Sequence, residues 1–187
     1  MSTLEVNTIN PQSGTTITIG GSGDTVSLGS GATASGFGGI FETQLFHVVD
    51  EQSGDGGTFS GGTQTRVLNT IRTNEITGAS LSSNQITLPS GTYFIDSLSV
   101  AFLVGRHQAK LRNTSDSSDV LFGSVGHTSD GSGIGQNPSI VTGRFTITSS
   151  KVFEIQHKAE YTRSGNGFGI SSTSNNIYTD CRIWKVA

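Results

Sequence analysis

The sequence predicts an all-β protein: a C-terminal antiparallel β-sandwich of jelly-roll type, preceded by a short Gly/Ser/Thr-rich β-repeat stalk. Three observations predict it. Gly, Ser and Thr supply 77 of the 187 residues, whereas Leu and Ala, the strongest helix formers, supply 17. From Ile40 onward apolar residues recur with period two, as a half-buried strand requires. Between these runs lie turn clusters such as DEQSGDGG, NTSDSSD and TSDGSGIGQNP, spaced as in sandwiches and barrels.

Taken in order, the chain divides at 1–14, 15–39 and 40–187. The middle segment holds no aromatic residue until Phe37 and carries a small repeat. Thr16-Ile17-Thr18-Ile19-Gly20 returns nine residues later as Thr25-Val26-Ser27-Leu28-Gly29, which sets Ile17 and Ile19, then Val26 and Leu28, at matched positions of two very short strands. A flexible Gly/Ser linker is one reading. A linker has no need of apolar residues at a fixed period, so an intertwined stalk in which several chains enclose what one cannot is favoured. Beyond it, strands are predicted over Phe41 to Val49, Arg66 to Asn69, Thr92 to Val104, His107 to Leu111, Val120 to Val125, Ile140 to Thr148, Lys151 to Tyr161 and Asn176 to Val186. The clearest is Lys151 to Tyr161, with Phe153, Ile155, His157, Ala159 and Tyr161 on one face and Glu154, Gln156, Lys158 and Glu160 on the other. In Thr92 to Val104 the apolar phase changes: Tyr93 and Ile95 share one face, Leu98, Val100 and Phe102 the other. Either a bulge sits near Ser97 or the strand is covered on both faces. In the second case a neighbouring subunit is the expected cover, which makes Leu98, Val100 and Phe102, with the four stalk residues, the candidate self-association surface.

Charge separates the chain further. Residues 1–65 hold six acids and no Lys or Arg; the rest hold eleven bases and eight acids, for a net charge of −3. The bases are dispersed, so nucleic acid is not an expected partner. Neither a secretory signal nor an apolar run of about 18 residues is present, so a soluble product with no membrane insertion is expected. Hydrophobic residues amount to 32%, below the ~45–50% of ordinary domains, which suits a subunit that completes its core by association.

Catalytic patterns are weak. Of the four histidines, His47 and His157 fall in phase with apolar neighbours and read as core histidines; none is spaced as a metal ligand pair, and lone Cys181 completes no zinc site. G-x-S-x-G is absent. The glycine clusters at 131–135 and 165–169 lack a following Lys-Ser/Thr and read as hairpin tips. No enzyme activity, cofactor or metal is expected. Polar loop residues Asn113, Asp116, Asp119, Asp130, Asn137 and Asn166 are candidates for contacting a sugar, although each also serves as a turn former. The Asn113-Thr114-Ser115 sequon has no secretory context.

Four stretches, NEITGASLSSNQITLPSGTYFIDSLS, GRHQAKLRN, GRFTITSSKVFEIQH and IYTDCRIWKV, resemble in content and order the trimeric jelly rolls of the tumour necrosis factor and complement globular-head type, as found in structural proteins of tailed bacteriophages. TTITIGGSGDTVSLGSGATASGFGG is similar to the stalk that precedes distal domains of phage tail fibres. The resemblance implies a homotrimer about a threefold axis, with Met1 to about Pro11 attaching to other virion proteins and the jelly roll pointing outward. The expected role is that of a short fibre or spike on the virion whose distal domain meets a host surface, its polysaccharide included. A capsid decoration trimer is the alternative, and a free carbohydrate-binding module is the alternative of another class. Some members of the fold bind calcium near the axis; no matched cluster of acids occurs here.

Overall fold

The structure, a computed structural model, describes residues 44–129 and 135–186 together with Ile9, Ser13 and Gly14. The repeat residues Ile17, Ile19, Val26 and Leu28, and Asp130, lie outside the described residues. Eleven strands follow in chain order: β1 Gln44–Gln52, β2 Gly62–Thr65, β3 Thr70–Asn74, β4 Ser80–Ser82, β5 Gln85–Leu88, β6 Gly91–Phe102, β7 Arg106–Asn113, β8 Ser118–His127, β9 Gln136–Ile147, β10 Lys151–Ala159 and β11 Asn176–Lys185. No helix occurs among the described residues.

Two antiparallel sheets form a sandwich, one ordered β3-β1-β11-β6-β9 and the other β4-β5-β10-β7-β8, with β2 alongside β10. The alternation that predicts the strands also assigns their inner faces. β7 turns His107, Ala109, Leu111 and Asn113 inward, and β10 turns Phe153, Ile155, His157 and Ala159 inward. At one end the filling is apolar: Phe145 sits 5.5 Å from the Tyr93 ring and 5.3 Å from Phe153, with Phe46, Ile95 and Ile183 also fully buried. Each such side chain contributes about 1.5–3 kcal/mol by leaving water. A second, smaller cluster surrounds Phe59, Val104 and Phe168. Between the two the interior is polar, with Arg66, Ser97, Ser99, His107, Ser139, His157 and Thr179 all buried.

Several elements depart from expectation. Arg66 to Asn69 is not a strand but a crossing between the sheets. The Arg66 N–H donates to Ile155 O on β10 and the Asn69 N–H to Val49 O on β1, so the segment leaves one ladder to join the other. The true strands, β2 and β3, flank it. β4 and β5 form a hairpin closed by Ser83 and Asn84, both with positive φ (50° and 66°), as a type I′ turn requires. Tyr161, predicted to point inward, lies past the end of β10 and is 49% exposed.

The strand with the phase change has no bulge. β6 pairs with β11 and β9 in unbroken register, placing Ser97 and Ser99 on the inner face and Leu98, Val100 and Phe102 on the outer one. The outer cover of Val100 and Phe102 comes from the same chain. The Phe102 N–H donates to Gly167 O, the Arg163 guanidinium lies 5.7 Å from the Phe102 ring centre, and Gly169 packs on Val100. A neighbouring subunit is not needed to bury these two; Leu98 alone of the three remains partly exposed.

Candidate functional site

Strand register arranges the outer face of the five-stranded sheet as rows. Trp184 lies between Leu45 and Phe94; Arg182 lies between His47 and Asp96; Asp180 lies between Val49 and Leu98, and Leu98 is followed by Ile140. Two largely apolar rows thus flank a polar one. The Trp184 and Phe94 rings are 6.0 Å apart and tilted, and Ile140 is 41% exposed. Asp180 organises the charges: one carboxylate oxygen meets His47 Nε2 at 2.9 Å and the other meets the Arg182 guanidinium at 2.7 Å. His47, expected in the core, therefore belongs to the outer face. Asp96 and Arg144 stand on this face with no side-chain hydrogen bond or ion pair among the described residues. Asp96, Leu98, Ile140, Asp180 and Arg182 enclose a hollow of about 190 Å³. A partly exposed apolar face with a hollow and unpaired charges of both signs is suited to a protein partner.

A second feature is a groove of about 390 Å³ on the six-stranded sheet, lined by Arg106, His107, Gln108, Val125, Lys158 and Glu160. Arg106 reaches Glu160 with Nε at 3.0 Å and a terminal nitrogen at 2.7 Å. Those hydrogen bonds, with one from the Arg106 N–H, hold the Glu160 carboxyl down to about 2. Lys158 has no such partner among the described residues. A groove with a free ammonium, a fixed carboxylate, an amide and the exposed Val125 offers contacts that hydroxylated or acidic sugars use.

The loop candidates do not gather into one site. Asn113 and Asp116 close the β7–β8 turn on each other: the Asp116 N–H donates to Asn113 Oδ1 at 3.0 Å and Asn113 Nδ2 donates to Asp116 Oδ2 at 2.9 Å. Asp116 also pairs with Lys151, and Asp119 with Lys110 and Arg112. Asn113 is 4% exposed, its side chain on the inward phase of β7. Asn137 and Asn166 lie toward the other end of β7; Asn166 accepts a hydrogen bond from Arg163 Nε, and Asn137 is tied to His107 and His127. Each of the five is occupied in holding a turn or an edge.

Sequence reasoning missed Arg66. Its side chain is completely buried, donating from Nε to Thr179 and from its terminal nitrogens to the carbonyls of Val100, Tyr178 and Phe168, with its guanidinium carbon 4.1 Å from the Phe168 ring centre. The one available signal is that it is the first basic residue after 65 without any. Among the described residues no group of three His, Cys, Asp or Glu is placed to hold a metal ion.

No protein-family model matches the chain, and no curated protein matches it. Among solved structures it is similar to murine APRIL at pH 5.0, with a TM-score of 0.51 and 9% identity over 76% of this chain and 98% of that one. Murine APRIL at pH 8.5 (TM-score 0.45, 10% identity, 76% and 98% covered) and at pH 8.0 (0.45, 9%, 75% and 98%) also align. The first likeness, with the two antiparallel sheets and the strand order, defines the class: an all-β protein with a jelly-roll fold like that of tumour necrosis factor. At such identity the likeness speaks for the fold alone.

Proposed function

We propose that this chain is a non-catalytic structural protein of a tailed-phage virion. It assembles as a homotrimer into a short fibre or spike, joins other virion proteins through residues 1–14 and presents its jelly roll to a host surface. The observation that carries self-assembly is the outer face of the five-stranded sheet. Its rows Leu45–Trp184–Phe94 and Leu98–Ile140, with Asp96 and Arg144 left unpaired among the described residues, are complementary in chemistry to a second copy of themselves. The virion role draws on the resemblance of the quoted stretches and the acidic, repeat-bearing N-terminal third. The groove between Arg106 and Lys158 is the surface offered to a host polysaccharide.

Light scattering on the purified full chain should give three times the 19.5 kDa chain mass. A stable monomer at micromolar concentration would refute the assembly. Electron microscopy of intact particles should place the trimer on the tail. A position on the head would replace the fibre with a decoration protein, and absence from particles together with polysaccharide binding would leave a free carbohydrate-binding module.

A further inference from the structure

We infer that His107 and His157, with Asn137 of the opposite sheet, form an acid-sensitive latch: while both imidazoles are neutral the chain His157–His107–Asn137 is satisfied and ties β7 to β9, and a proton added to either imidazole leaves a buried N–H without an acceptor, which loosens the β8/β9 edge. The latch is a property of the single chain and does not depend on the role proposed above.

The geometry allows one proton arrangement. His157, fully buried on the inner face of β10, has Nε2 3.0 Å from His107 Nδ1, and His107 Nε2 lies 2.6 Å from Asn137 Oδ1. Asn137 belongs to β9, in the opposite sheet, and its Nδ2 donates to His127 O at the end of β8 at 2.7 Å. Because the amide nitrogen must face that carbonyl, the amide oxygen faces His107, so His107 Nε2 carries the hydrogen and Nδ1 is an acceptor. His157 Nε2 must then carry its hydrogen, which leaves His157 Nδ1 as a buried lone pair with no partner. A proton added at His157 Nδ1 creates a buried N–H with nothing to receive it. One added at His107 Nδ1 sets two N–H groups against each other.

Among the described residues no carboxylate offsets the added charge. The Arg66 cation acts on both imidazoles, and His127 on His107. Among the described residues the one buried carboxylate is Asp50, and its charge acts on Arg66. β2 carries no charged group; Arg106, Lys110 and Arg112 on β7, Lys158 on β10 and Arg144 on β9 occupy the strand phases opposite the buried ones, and Glu160 is taken up by Arg106. The remaining neighbours, Phe59 at 5.0 Å from the His157 ring and the inward Ser97, Ser99, Ser139 and Thr179, are neutral. Burial, and after it Arg66 for His157, holds the imidazoles below the ordinary imidazole range, His157 well below it; the Asn137 hydrogen bond opposes this at His107.

A folded-state value below the unfolded one means the native state binds fewer protons, so stability is whole above the unfolded imidazole value of about 6.5 and declines as pH falls beneath it. The loss is local because β8 and β9 are edges of different sheets, without a ladder between them. Besides Asn137, side-chain bonds join them: Ser139 Oγ donates to Ser124 O at 2.6 Å and the Ile140 N–H to Ser124 Oγ at 3.0 Å. Gly126 of β8 packs directly on the His107 ring, where a Cβ would overlap both it and Asn137 Oδ1.

The test uses the full chain between pH 7.5 and 5.0. Nitrogen-edited NMR of histidine-labelled protein should show both buried imidazoles as neutral Nε2–H tautomers at pH 7.5. The melting temperature should fall below pH 6.5, and amides of 123–127 and 137–141 should lose hydrogen-exchange protection before those of β1 and β11. A H47Q/H127Q double variant, which leaves the pair intact, should keep most of the pH-dependent loss, whereas H157Q should flatten it. A melting temperature unchanged from pH 7 to 5, a loss abolished in the H47Q/H127Q chain, or β8–β9 protection lasting as long as that of β1–β11 would each overturn the latch. If H157Q does not fold, the other three readouts decide.

Discussion

Arg66 is completely buried and has no side-chain carboxylate contact among the described residues, yet it satisfies four acceptors and stacks on a ring. Burial pulls its guanidinium down to about 9, while Asp50 acts in the opposite direction, so it stays a cation at neutral pH. Its worth lies in what would be orphaned without it: the Val100, Tyr178 and Phe168 carbonyls, the Thr179 hydroxyl, and an Asp50 carboxylate whose Oδ2 already has no partner. Arg66→Met keeps much of the volume and removes every donor. By comparison with other broken buried charge networks it should cost about 3–5 kcal/mol, read as a lower urea midpoint. Arg66→Lys keeps the charge but cannot fork to four acceptors, so its midpoint should lie between the two. No sequence pattern announces such a residue, because its partners come from β6, β11 and the 163–169 loop, more than 30 positions away in every case. His157 was easier to read, since a histidine in phase with Phe153 and Ile155 has to point inward; that it would meet a second histidine was not readable from either strand.

At the scale of elements, β7 and β10 were legible because each has one wet and one dry face, which imprints period two on the residues. β6 was harder. Its inner face carries Ser97 and Ser99 where alternation leads one to expect Val or Leu, and its outer face carries the apolar residues, because a loop of the same chain folds over that end. The loop holds its position through residues with no room to spare. Gly169 has a φ of 143° and lies in close contact with the Tyr178 ring, whose hydroxyl is fixed to Gly54 O at 2.7 Å. A side chain at 169 would be strained in the backbone and would displace the ring. Gly169→Ala should therefore destabilise by about 1–3 kcal/mol and expose Val100 and Phe102, seen as a lowered melting temperature with increased binding of a hydrophobic dye while the protein is still folded. A folded variant with unchanged melting and no added dye binding would show that the loop is not what covers β6.

For the whole molecule, the low hydrophobic fraction first suggested a core completed by other copies. Part of it also reflects a polar middle layer of the sandwich, where Arg66, the two histidines and several serines and threonines stand in place of aliphatic residues. That narrows where association must be sought. Val100 and Phe102, 9% and 6% exposed, are already enclosed by their own chain, while Leu98 is partly open and Ile140 is 41% exposed on the adjacent strand. The two pairs should respond differently to the same substitution. An Asp at 100 places an unpartnered carboxylate in the interior and should cost several kcal/mol, roughly 3 or more, so Val100→Asp should unfold or fail to accumulate whatever the oligomeric state. An L98D/I140D chain adds two acids beside Asp96 and Asp180 on a surface that is wet in the single chain. It should keep the native β-sheet circular dichroism spectrum and sediment as a 19.5 kDa monomer. If L98D/I140D remained trimeric with its melting unchanged, the outer face of the five-stranded sheet would not be the contact between copies.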